Sequence, residues 1–193
     1  MTMPLSAIAL LLAGASEPYP PQRAHGRYTS QSYALAFPTV HGTWTCPIPP
    51  NWTGSDHGTI LFLTPPARCY GIGFPSIARG FEPGTTPRIE IYYDRTFIDD
   101  GIRPLTAKAC RRVATVRLFG SDRPVCAMKA KAGLKTVRIA SLYRQKEYEV
   151  ELTLVTTPAR YRRDFATLQL LASVIGTCDQ NREKGPGACT GIY

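Results

Sequence analysis

The stretch 147–176, EYEVELTLVTTPARYRRDFATLQLLASVIG, decides the fold class, because its hydrophobic period changes once. Up to Leu154 the period is two. Tyr148, Val150, Leu152 and Leu154 share one face, while Glu147, Glu149, Glu151 and Thr153 share the other. That alternation predicts a half-buried antiparallel strand with an acidic, solvated side. Beyond Thr157 the period becomes helical, with Tyr161, Phe165, Leu168, Leu171, Ala172 and Ile175 along one side. Thr157 suits an N-cap, Pro158 the first helical position and Gly176 the C-terminal stop. A strand that feeds a helix of matching apolar stripe implies an α+β domain: a single antiparallel sheet packed by a C-terminal helix.

Working back along the chain, the segment 134–143 reads as a strand that a charged turn, Arg144-Gln145-Lys146, joins to the one above. Segments 113–119 and 125–129 read as strands around Gly120-Ser121-Asp122-Arg123-Pro124, and 107–112 as a helical turn. In 88–93, Ile89, Ile91 and Tyr93 fall on one face. The apolar run 59–63, TILFL, predicts a strand buried on both sides. Tyr33-Ala34-Leu35-Ala36-Phe37 alternates and stops at Pro38, and 43–48 is a shorter candidate broken by prolines. The glycines and prolines between 70 and 87 predict a long irregular loop.

The N-terminus places the protein. Residues 5–15, LSAIALLLAGA, have the length of a signal-peptide core and end in a small-x-small cleavage pattern. The leader contains none of the six cysteines. An even set of cysteines behind a leader predicts an exported, disulfide-braced chain, periplasmic or extracellular. The expected organisation is a signal peptide at 1–15, a flexible Pro-rich lead-in at 16–32, and one domain over 33–193 with a disulfide-closed tail. No stretch reaches the roughly 20 apolar residues that a membrane span requires. Neighbouring cysteines bracket compact segments, which favours Cys46 with Cys69, Cys110 with Cys126 and Cys178 with Cys189. No C-x-x-C or H-x-x-x-H spacing supports a metal, and no motif implies a cofactor.

Charge is divided unevenly. Residues 1–102 carry six Lys and Arg against seven Asp and Glu; residues 103–193 carry seventeen against seven, within an overall +9. A basic C-terminal half favours anionic partners such as an acidic polymer or a lipid surface. The candidate anion-binding residues are Arg111, Arg112, Lys129, Lys131, Arg160, Arg162 and Arg163. Arg160, Arg162 and Arg163 fall in the first turns of the helix, where the dipole disfavours positive charge. Arg160 can pair with Asp164 at i,i+4, whereas Arg162 and Arg163 would turn to the acidic sheet face or to an external anion. The short basic runs lack interleaved aromatics, so specific nucleic-acid binding is not expected.

The sharpest catalytic candidates are Asp56 and His57, in Gly54-Ser55-Asp56-His57-Gly58. A histidine and a carboxylate can supply a base and its orienter. The plainer reading of the same residues is a polar turn with an exposed imidazole.

The opening Tyr33-x-Leu35-x-Phe37-Pro38, the turn Pro49-Pro50-Asn51-Trp52 and the terminal helix ending near Ala172-Ser173 resemble the PsbP/Mog1-type α/β sandwich over about residues 33–177. The cysteines and the glycine-proline loop depart from that pattern. The resemblance implies an accessory or binding role and carries over no site residue. The leading expectation is therefore an exported, non-enzymatic binding or accessory protein that recognises a partner protein or an anionic surface. A small secreted hydrolase using His57 with a carboxylate, and a structural envelope component, are the alternatives.

Overall fold

The computed structural model describes residues 20–30, 33, 35–46, 58–67, 69, 86–95, 110–129, 133–143 and 147–177. The strand and helix of the deciding stretch are both present, as β10 (Tyr148–Thr156) and α1 (Tyr161–Val174). β10 lies inside a sheet of antiparallel strands, flanked by β9 (Lys135–Tyr143) and β6 (Arg88–Arg95). Its inward residues Val150, Leu152 and Leu154 are fully buried. Across the register they meet Tyr93, Ile91 and Ile89 on one side and Ser141, Ile139 and Val137 on the other.

Outward, the sheet continues through β5 (Gly58–Phe62), β4 (Trp44–Thr45) and β1 (Gln22–Arg23) at one edge. At the other edge stand β8 (Ser121–Ala127) and β7 (Arg111–Leu118). Among the described residues this sheet has eight strands in the order β1-β4-β5-β6-β10-β9-β8-β7. A second sheet of three strands forms from β2 (Arg27–Ser30), β3 (Leu35–Pro38) and β11 (Gly176–Thr177), in the order β11-β3-β2. The fold is thus α+β, but where a single sheet was expected from sequence the described residues form two. Gly176 does not stop the helix in a turn; it starts β11, opposite Ala36. Two residues are too few to carry a strand signature of their own.

Residues 22–30, expected to be a flexible lead-in, instead supply β1 and β2. Their alternation is too short to read, and the strands exist because β4 and β3 offer backbone partners. Likewise Arg111 and Arg112, expected in a helical turn, begin β7. The β7–β8 turn is tighter than expected. Phe119 and Gly120 both have positive φ, 50° and 72°, the two-residue geometry that matches strand twist. Pro124 therefore lies within β8, which pairs with β9 only at Cys126 and Ala127. A residue with no N–H is tolerated where the strand lacks that partner.

The small sheet and α1 cover one face of the large sheet, and all three contribute to one core. Leu35 and Phe37 from β3 join Leu168, Leu171 and Ala172 from α1 above the β-sheet residues. At one end sits an aromatic group in which Tyr33 meets Tyr93 and Tyr148 edge-on, at 5.3 and 5.9 Å between ring centroids. Tyr143 stacks on Phe119 and Tyr148, and its hydroxyl donates to the Tyr33 carbonyl at 3.0 Å. Among the described residues there are two disulfides. Cys46–Cys69 ties the chain after β4 to the chain after β5, and Cys110–Cys126 ties the start of β7 to β8. Cys178 and Cys189 lie outside the described residues. No helix among the described residues is long and apolar enough to cross a membrane.

Candidate functional site

Thr157 and Pro158 do not cap α1 directly. They open a single 3₁₀ turn, Pro158–Arg160, whose last N–H donates to the Thr157 carbonyl at 3.1 Å. The tighter turn brings Arg160 and Asp164 onto the side of the helix that meets the segment after β5. Asp164 is 2% exposed and accepts from Thr156 Oγ1 at 2.5 Å, from Arg160 at both oxygens and from Arg163 Nε at 3.4 Å. The same Arg160 Nη2 donates to the Leu63 carbonyl at 3.2 Å. The i,i+4 pair expected from sequence is present, and it is a latch: it joins the helix start to β10 and to the end of β5.

Beside the latch is an open cleft of about 360 Å³ between α1 and the β1–β4 edge. Arg160, Arg163, Asp164 and Thr167 form one wall; Arg23, His41 and Trp44 form the opposite one; Leu63, Thr64 and Pro65 lie between. The Arg23 guanidinium lies over the Trp44 ring, 4.1 Å from its centroid, and one terminal nitrogen donates to the Gly42 carbonyl at 3.3 Å. Stacking of this kind holds a long side chain in one orientation while leaving other N–H groups available. Arg163 is 67% exposed.

The seven basic residues singled out by sequence are not brought together. Arg160 and Arg163 line the cleft, while Arg162, one residue away, is exposed on another side of α1. Arg111 and Arg112 sit on β7, at the opposite edge of the sheet from β1, and exposed Lys129 follows the end of β8 that pairs with Arg111. Arg112 also bonds the Thr115 hydroxyl. Lys131, Asp56 and His57 lie outside the described residues. Arg163 turns to Asp164 and not to the acidic sheet face, where Glu151 is held by Arg138 at 3.0 Å. Arg23 and Trp44 were not legible as site residues, because each sits in a two-residue strand whose position depends on its partners.

Glu149 and Glu151 of the acidic face are half-buried, not fully solvated as expected. Burial pushes the Glu149 carboxyl up, the neighbouring Glu151 adds to the rise and Arg138 opposes it. Glu151 is likewise raised by burial, opposed by Arg138 and by the Thr153 hydroxyl, with Glu90 adding to the rise.

No family model matches the chain, and no curated protein matches it. Among solved structures it is similar to the solution structure of cyanobacterial PsbP from Synechocystis sp. PCC 6803. The identity is 9%, the match covers 82% of this chain and 92% of that one, and the TM-score is 0.41. This is a weak PsbP-like resemblance of fold.

Proposed function

We propose that this is an exported, non-catalytic accessory or binding protein of the bacterial envelope that recognises an anionic surface. The observation that carries the reading is the set of exposed arginines on two separate parts of the fold, Arg111 and Arg112 on β7 and Arg162 and Arg163 on α1. Guanidinium groups presented to solvent gather acidic polymers or lipid headgroups by long-range attraction, which salt screens beyond about 8 Å at physiological ionic strength. The leader-like N-terminus and the disulfides support an oxidising compartment.

The test is retention on heparin and on vesicles rich in anionic lipid across a salt series. The parent protein is expected to bind at low salt and elute as salt rises. Reversing Arg162 and Arg163 to Glu, or Arg111 and Arg112 to Glu, is expected to shift elution to lower salt. Arg160 is left intact, because it holds Asp164. Absence of retention at low salt, or charge-reversed proteins that elute with the parent, would overturn the reading.

A further inference from the structure

The cleft between α1 and the β1–β4 edge has a charge imbalance of its own. Three arginines line it and one carboxylate, Asp164, answers them. Arg160 commits Nε and Nη2 to Asp164 and to the Leu63 carbonyl. Arg23 and Arg163 commit one nitrogen each and keep the larger share of their five N–H donors. Arg163 reaches Asp164 only through Nε, and Arg23 uses a single terminal nitrogen on Gly42. Each comes from a different element, and the fold aims both at one concave space.

We infer that this cleft binds the phosphate monoester of an organic ligand, an inference that rests on the anion-recognition reading above and names its chemistry. Two guanidinium forks match a group that carries about −1.5 to −2 charge near neutral pH and three acceptor oxygens. A carboxylate, with one charge and two oxygens, matches two guanidinium forks less fully. The His41 imidazole and the Thr64 and Thr167 hydroxyls line the same space as further polar partners. The cleft is larger than a phosphate alone needs, and Trp44, Leu63 and Pro65 give it apolar lining for the carbon part of the ligand. A sugar phosphate and a phosphatidate headgroup share this chemistry.

The experiment uses the full chain with Trp52→Phe, so that Trp44 is the one tryptophan left as a fluorescence reporter. It is titrated with glucose 6-phosphate, with glucose, and with vesicles of phosphatidylcholine with or without phosphatidic acid. The expected result is a saturable Trp44 signal with glucose 6-phosphate or with phosphatidic-acid vesicles, and none with glucose or plain vesicles. Whichever phosphate probe binds identifies the source. Arg23→Gln and Arg163→Gln should each weaken that binding about tenfold, the loss of one charge-assisted contact. Arg112→Gln, on the far edge, should leave it unchanged. Circular dichroism checks that each variant is folded.

Absence of a signal with both phosphate probes at low salt overturns the inference. So does binding that Arg23→Gln and Arg163→Gln leave intact. If heparin retention persists in either case, the surface reading stands and the cleft assignment alone has failed. If heparin retention is absent as well, both have.

Discussion

Arg160 grips Asp164 at both carboxylate oxygens, Nε to Oδ2 at 3.0 Å and Nη2 to Oδ1 at 3.1 Å, one helical turn apart. The Asp164 side chain is buried and the Arg160 side chain three-quarters so, which makes this pair unlike an ordinary surface i,i+4 contact. Asp164→Ala should cost about 3 kcal/mol in urea denaturation, because Arg160 and the Thr156 hydroxyl lose their shared acceptor. Arg162→Ala, on the exposed side of the same helix, should stay within about 0.5 kcal/mol. Equal costs for the two would show that the latch has no structural role.

Gly58 opens β5 with φ at 153°, and a Cβ there would stand 2.1 Å from the Ile91 carbonyl oxygen of β6. The obstacle is backbone inside a paired strand and cannot turn aside. Gly58→Ala should destabilise the protein by about 2 kcal/mol or more, measured as a fall in the urea midpoint. A neutral result would mean that β5 and β6 can separate at this end without loss.

The hydroxyl of Tyr143 is the polar atom that ties the aromatic group to the chain before β3. Tyr143→Phe keeps the stacking on Phe119 and Tyr148 and removes only that donor. It should cost about 1 kcal/mol, and Tyr143→Ala about 4 kcal/mol. Thermal denaturation of the two variants separates the bond from the packing.

Reducing Cys110–Cys126, or replacing both residues with serine, should cost about 3 kcal/mol, since the bridge closes a segment of 16 residues. Peptide mapping without reductant should recover Cys178 linked to Cys189. Recovery of either residue attached to Cys46 or Cys110 would refute the arrangement of three local bridges.

Glu149 has a native pKa above its ordinary value, chiefly through burial. The folded state therefore holds its proton to higher pH than the unfolded state does. Its contribution to stability is present below about pH 4.3, the unfolded value, and is lost as pH rises through the native one. Glu149→Gln should raise the melting temperature at pH 7 and leave it unchanged at pH 3.5. Thermal scans at the two pH values check both arms.

How far the residues alone reach depends on the range of the interactions. The alternation in β10 and the stripe on α1 are local periodicities, and an apolar face must find a cover, so strand, helix and their packing follow from the letters in 147–176. The same holds for β6 and β9, and Asp164 opposite Arg160 is a matter of helical spacing. Elements of two residues are another case. β1, β4 and β11 form because partners elsewhere in the chain present free N–H and C=O groups, and two letters hold no period to read.

Composition, the charge asymmetry, the even cysteines, the acidic strand face and the α+β class were determined by the sequence itself, since each is either a count or a repeat over neighbouring residues. Only the tertiary structure decided that the described residues form two sheets and that the exposed arginines of the C-terminal half divide between β7 and α1. It alone set Arg23 and Trp44, more than a hundred residues before the helix, across a cleft from Arg163. Those relations come from contacts between segments far apart in the chain, and the cost of closing such long loops is met by core packing that no local pattern encodes.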